Sequence, residues 1–255
     1  MFLMFSTFWH AAFFDPIYNL LIFILGHVPA GDVGIAIIVL TVLIKLVLLP
    51  LSLRAAKTQY AMRSLEPQLA RINEQHKNDA GKRGQATMEA YREAGVNPFA
   101  SFFLQFIQLP IIFALYFAVT RGGGVPFPAI NTALLYSFVS APEAVSMIFL
   151  GFINIAAKNL PLALFAGVAQ FVQTHLALPP LARREEGAPA SFKDDFARSM
   201  QMQMRYVMPI IITFVAYRFS ATIALYFLVS SIAAIAQEYI VRRHNVGFGA
   251  DVAGH

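Results

Sequence analysis

Lys45 is the residue of this 255-residue chain whose placement most demands a chemical reason. It stands inside the apolar run GIAIIVLTVLIKLVLLPLSL, residues 34–53. A charge at the centre of such a run costs about 2.5–3.5 kcal/mol on insertion scales. Two arrangements would relieve that cost. The amine can snorkel to headgroups along its own helix, or it can face a wet cavity. Leu53, at the nearer end of the run, lies roughly 12 Å away by helical rise, further than a lysine stem comfortably reaches. A wet cavity is therefore the expectation.

Other polar side chains can line the same space. Thr41 precedes Lys45 by one turn. Gln105 and Gln108 lie three apart in one apolar run, and Gln170, Gln173 and Thr174 share a face in another. Ser230 and Gln237 belong to the last run. Each alone reads as interhelical hydrogen-bonding glue. Together they favour a hydrated space shared by several helices. The absences matter as much. No Asp or Glu lies well inside any apolar run, and Glu238 sits near an end. Proton-coupled carriers usually need a buried carboxylate relay, and an intramembrane aspartyl protease needs two such groups. His175 is the one histidine in an apolar run, and no serine motif surrounds Ser230. The chain has no cysteine. No catalytic centre, metal or cofactor is expected. Met200, Met202, Met204 and Met208 cluster before the fourth run; interfacial packing is the plain reading and adaptable apolar binding the other.

These residues need helices to hold them. The chain is 58% hydrophobic and 13% charged, about half the roughly 25% charged fraction of soluble proteins. Too few charges remain to cover a water-facing surface. The expected fold is all-α: five transmembrane helices over 34–53, 99–120, 160–178, 206–217 and 221–241. Each of the longer runs suits a hydrocarbon core about 30 Å thick; the fourth is short. Reading 206–241 as one helix would bury Arg218 near its middle, so a hairpin turning at 218–220 is the cheaper arrangement. Residues 54–98 are polar, with helical stretches at 55–77 and 85–94 broken by 78–81 and by Gly84. Residues 179–205 form a second polar loop. Residues 121–159 form a third connector rich in Gly and Pro and almost free of charge.

Basic residues set the topology. Eight lie in 54–97, including Arg54, Lys57, Arg63 and Arg71; five lie in 179–205; Arg242 and Arg243 follow the last run. Only Arg121, Lys158 and Arg218 lie on the opposite side, so the division is fifteen to three. The positive-inside rule then places both charged loops and the tail, 242–255, in the cytoplasm and the N-terminus outside. Net charge +5 is thereby explained by topology and anionic lipid before any specific nucleic acid is invoked. Residues 1–33 are expected outside. Asp15-Pro16 is expected to interrupt them, leaving 16–26 as an interfacial helix too short to span, with Trp9 and Tyr18 as anchors. The lack of a basic n-region argues against a signal peptide.

Two stretches resemble the YidC/Oxa membrane protein insertases: TVLIKLVLLPLSLRAAKTQYAMRSLEPQLARI and YREAGVNPFASFFLQFIQLPIIFALYFAV. The shared features are Leu49-Pro50-Leu51, Leu65-Glu66-Pro67, Val96-Asn97-Pro98 and Gln108-Leu109-Pro110-Ile111, with the final hairpin matching in order and spacing. The likeness covers about 13–243. It implies five core helices around a groove open to cytoplasm and lipid and closed outside, with a cytoplasmic helical hairpin carrying Pro67. It also implies a basic groove residue, arginine in the family and Lys45 here. Phe219-Ser220-Ala221-Thr222 departs from the family's Phe-Pro-Ser-Gly. The chain resembles the short bacterial form of the inner membrane, without a long basic ribosome-binding tail.

The implied activity is insertion and folding of nascent membrane proteins without catalysis. A translocon, a ribosome or targeting factors are the further partners that the resemblance admits. The competing reading is a small-anion channel or carrier with Lys45 as the binding charge, opposed by the absence of inverted repeats and of other charges at depth. A passive assembly chaperone is the third.

Overall fold

Backbone groups in lipid have no water to pair with, so long apolar runs must close their own hydrogen bonds as helices. In the computed structural model, which describes residues 2–77, 79–95, 100–177 and 202–248, they do so. The helices are α1 (Phe2–Trp9), α2 (Asp15–Leu25), α3 (Val33–Ser64), α4 (Glu66–Gln75), α5 (Ala80–Glu93), α6 (Ala100–Arg121), α7 (Leu160–Ala177), α8 (Met208–Phe219) and α9 (Ala221–Phe248). Strands β1 (Ile148–Phe149) and β2 (Ile153–Asn154) pair antiparallel, Ile148 opposite Asn154 and Phe149 opposite Ile153. Five stretches among the described residues are long and apolar enough to cross a bilayer: Ser6–Leu25, Val33–Ala55, Phe106–Gly124, Leu160–Ala177 and Ala221–Ile240.

Two expectations change here. Asp15-Pro16 does not interrupt the N-terminal segment. A π-helical turn, His10–Phe14, joins α1 to α2, and both Phe14 and Asp15 keep right-handed helical angles. Proline near a helix start loses no hydrogen bond that the helix needs, and His10 Nδ1 lies 3.0 Å from Asp15 Oδ1 across the join. The uninterrupted stretch is therefore long enough to span, which 16–26 alone is not. Gly84 does not break its helix either. The Asp79 carboxylate accepts from Lys82 N at 3.0 Å, and α5 runs from Ala80 through Gly84 to Glu93. The fourth run is a 12-residue helix, α8, preceded by a π-helical turn at Gln203–Val207. Ser220 follows it in extended conformation (φ −165°, ψ 166°) before α9 begins.

The described residues fall into two units: 1–46 with 110–242, and 47–109 with 243–255. In the second, Leu65 separates α3 from α4, Pro67 occupies the first turn of α4, and α4 packs against α5. Arg54, Pro67 and Arg71 are exposed. The Val96-Asn97-Pro98 motif and the loop 179–201 lie outside the described residues, as do residues 249–255. The side chains of Lys57, Arg63 and Gln105 also lie outside them.

In the first unit, the segment 122–157 is an ordered cap. Gly123 has φ +65°, a left-handed conformation that favours glycine, and a β-carbon there would also push the Leu134 side chain aside. Asn19, 2% exposed in the middle of α2, donates to Leu134 O at 2.9 Å and accepts from Tyr136 N at 2.7 Å. Tyr18 Oη accepts from Asn131 N at 2.9 Å. Asp32 caps α3, accepting from Gly34 N (2.8 Å) and Ile35 N (3.1 Å) on one oxygen and from Leu150 N (2.9 Å) on the other. Ala157 and Ile155 carbonyls take the first amides of α9, from Ala221 N at 2.7 Å and Thr222 N at 3.0 Å. The orphan N–H groups of two helices are thus satisfied by a side chain and by the cap backbone. Asp32→Ala removes the α3 cap and strands Leu150 N, so it should cost about 2 kcal/mol. A lowered unfolding midpoint in detergent is the expected reading; an unchanged midpoint would show that the cap carries no stability.

Candidate functional site

Lys45 lies one turn beyond Thr41 on α3 and is half-buried. Around it on the same helix, Val42, Leu43, Leu46 and Val47 are exposed. The cation thus stands within the candidate span Val33–Ala55 among apolar neighbours that the rest of the protein does not cover. Thr41 is fully buried, and its hydroxyl donates to Ile37 O at 2.6 Å. That bond uses the hydroxyl proton within the helix, so Thr41 packs the start of the site rather than offering a donor to it.

A polar junction joins α7 to α9. Gln170 Oε1 accepts from Ser231 Oγ at 3.1 Å, and Gln170 Nε2 lies 3.3 Å from Thr174 Oγ1. Thr174 Oγ1 donates to Gln170 O at 2.8 Å. Ser231 is 1% exposed and Thr174 9%. Of the residues singled out from sequence, the junction contains Gln170 and Thr174; the serine that completes it is Ser231 rather than Ser230. Ser230 is buried beside it. Gln173 and Gln237 are half-buried on α7 and α9, as is Gln108 in the other unit. Intramembrane hydrogen bonds average about 0.6 kcal/mol in double-mutant cycles. Gln170→Leu and Ser231→Ala should therefore each lower stability modestly, and the double variant should lose little more than Gln170→Leu alone. Strict additivity in detergent unfolding would mean that the two side chains do not interact.

Two features had no sequence signal. Arg205, counted as a loop charge, is 6% exposed within the π-helical turn before α8. Cationic residues at the other end remain exposed: Lys158 and Arg218, and Arg121 with its guanidinium 5.1 Å from the Phe117 ring centroid. An apolar cavity of about 360 Å³ lies between α2 and the cap, lined by Pro16, Asn19, Leu20, Phe23, Tyr136 and Phe138. It contains none of the candidate site residues. Among the described residues, no cluster of His, Asp and Glu could hold a metal ion.

Outward-facing apolar residues cover α7 and α8: Leu164, Phe165 and Val168 on the first, Ile210, Ile211 and Phe214 on the second. Among the described residues, Lys45 is thus a half-buried cation on α3, and Gln170, Thr174 and Ser231 form a small amide–hydroxyl network between α7 and α9.

Residues 24–247 match the family described as 60Kd inner membrane protein. The chain is 32% identical over 214 residues to the "Membrane protein insertase YidC" of Fusobacterium nucleatum, covering 84% of this chain and 87% of that protein. It is 27% identical over 228 residues to the protein of the same description from Francisella tularensis subsp. novicida, covering 89% of this chain but 36% of that one. The corresponding protein of Francisella philomiragia is 28% identical over 218 residues, 86% of this chain and 34% of that one.

Proposed function

The chain belongs to the YidC/Oxa family of membrane protein insertases, and on that premise we propose that it moves polar N-tails of nascent membrane proteins through a hydrated groove centred on Lys45. It is a multi-pass inner membrane protein. The observation that carries the reading is the position of Lys45, in the middle of an apolar helix whose neighbouring side chains are exposed. Moving a charge through hydrocarbon costs several kcal/mol. A groove that admits water part of the way shortens that barrier, and an ammonium within it offsets the charge of an acidic tail. The amides of Gln170, Gln173 and Gln237, in the same unit as Lys45, supply hydrogen bonds to that water. Partition of the hydrophobic segment into lipid then drives the process, without hydrolysis.

In this reading α3, α6, α7, α8 and α9 cross the bilayer, with the N-terminus outside and the C-terminus in the cytoplasm. The fifteen-to-three division of basic residues supports that orientation. The Asn19 and Tyr18 hydrogen bonds support keeping α1 and α2 at the outer face. They join the middle of α2 to the non-helical backbone of 131–136, and such backbone is disfavoured in lipid-exposed hydrocarbon. The basic stretch 54–98, with Arg54, Lys57, Arg63, Pro67 and Arg71, receives the substrate or its delivery partner at the cytoplasmic surface. A ribosome, translocon or targeting factor would dock there, and anionic headgroups would hold it near the membrane.

The test is reconstitution. Purified protein in vesicles without translocon should insert a single-span substrate with an acidic N-tail, read as protease protection of the tail. Protection no greater than in protein-free vesicles would leave only assistance to other machinery.

A further inference from the structure

The outer cap carries an apolar surface that the insertase reading does not use. Between Gly122 and Ala157 the only charged residue is Glu143. A water-facing loop of this length should be polar, yet Phe138 and Phe152 are each 74% exposed, and Leu150 is 57% exposed. Exposed apolar groups gathered on an ordered segment mark a surface that something covers.

The β1–β2 turn is the informative part. Phe152 N donates to Phe149 O at 3.2 Å, and both residues between them have positive φ, Leu150 at +51° and Gly151 at +84°. Glycine is at home there. Leucine is not, because its β-carbon makes the left-handed region costly, whereas asparagine or aspartate adopts it readily. An apolar side chain is kept at the tip against local preference, and it points into open space rather than into a core.

The turn also has a fixed height. Leu150 N is bonded to Asp32 Oδ2 at 2.9 Å, and Asp32 immediately precedes the candidate span that begins at Val33. The Phe149 ring lies over the first turn of α3, so close to Gly34 that a β-carbon there would come within 2.3 Å of it. The tip is thus tied to the end of a membrane-crossing helix, at the boundary between hydrocarbon and headgroups.

We propose that the β1–β2 tip, Leu150 and Phe152, is a membrane anchor that inserts into the outer-leaflet lipid beside α3. Its occupant is lipid acyl chain. The tip is tied through Asp32 to the start of a crossing helix, and it carries no basic residue that would select a charged headgroup. The anchoring is accordingly apolar and indifferent to anionic lipid content. This rests on the reading that Val33 lies at the membrane's outer boundary.

Fluorescence in proteoliposomes tests it. The single Trp9 is replaced by Phe, and one tryptophan is then introduced as Phe152→Trp, as Val42→Trp in mid-span, or as Glu143→Trp on the exposed cap. Brominated lipid should quench Phe152→Trp nearly as well as Val42→Trp, and aqueous acrylamide should spare it relative to Glu143→Trp. Adding Leu150→Asn, which suits the turn, should reduce bromolipid quenching about twofold on loss of one of two apolar anchors. Quenching of Phe152→Trp that matches Glu143→Trp in both assays would overturn the proposal. So would shielding from both quenchers, which would mean that protein, such as a second copy, covers the tip. If Val42→Trp also escapes bromolipid, the placement of α3 has failed and the anchor falls with it.

Discussion

Lys45→Ala is expected to fail in cells depleted of their own insertase, while Lys45→Arg restores growth. Two unit charges about 4 Å apart attract by about 4 kcal/mol at an effective dielectric of 20. Even a third of that, retained against competing water, changes a rate or population about tenfold. Insertion of acidic-tailed single-span substrates should therefore fall at least about tenfold in Lys45→Ala. Substrates with neutral tails should be much less affected, because the amides and the water they hold do not require a cation. Arginine restores the charge and adds a planar fork for carboxylates, so it should equal or exceed wild type on acidic tails. Growth and acidic-tail insertion undiminished in a well-expressed Lys45→Ala would show that charge attraction is not part of the mechanism. Loss in both Lys45→Ala and Lys45→Arg would assign the position a requirement for lysine itself.

The candidate residues are legible in sequence where composition speaks directly. Lys45 is conspicuous because residues 42–44 and 46–51 on either side of it are all apolar, and the runs that form α7 and α9 are continuous enough to define themselves. Partner choice was not legible. Ser230 and Ser231 are adjacent, yet one residue of helix turns the side chain by about 100°, and Ser231 is the one whose hydroxyl meets Gln170. Arg205 reads as a topology-setting loop charge, yet it is buried within the π-helical turn before α8. Backbone context also decided the N-terminus. Asp15-Pro16 looks like punctuation, but a proline needs no N–H in a first turn, and the preceding π turn keeps the helix continuous. In sequence the cap is a Gly- and Pro-rich connector. Its order comes from pairs such as Asn19 with Tyr136 and Asp32 with Leu150. More than a hundred residues separate those partners, beyond any local periodicity.

Gly167→Leu is expected to have the largest structural effect of any single change in the described helices. The buried face of α7 is made of Leu162, Ala163, Ala166, Gly167 and Thr174, mostly small residues, and α8 packs directly on that helix. A β-carbon at Gly167 would lie 1.8 Å from Thr213 Oγ1 and 3.4 Å from Pro209 O. The hydroxyl cannot simply swing away without loss, since it donates to Pro209 O at 2.8 Å. Close approach of small residues is what holds helices together in lipid, where no hydrophobic force distinguishes helix from solvent. Overpacking of this kind typically costs about 1–3 kcal/mol, and leucine should lie at the top of that range or separate the pair. The short α8 depends on the contact more than a full-length span would. Gly167→Ala should be intermediate, and Thr213→Ala, which removes Oγ1 but leaves the Cβ at 3.1 Å, should recover part of the loss in the double variant. The cycle is read from thermal unfolding in detergent and from protease resistance in membranes. If Thr213→Ala fails to rescue Gly167→Ala, the remaining approaches to Thr213 Cβ at 3.1 Å and to the Pro209 carbonyl at 3.4 Å are the stronger constraint, and the α7–α8 spacing is set by the α8 main chain and its β-carbon rather than by the threonine hydroxyl.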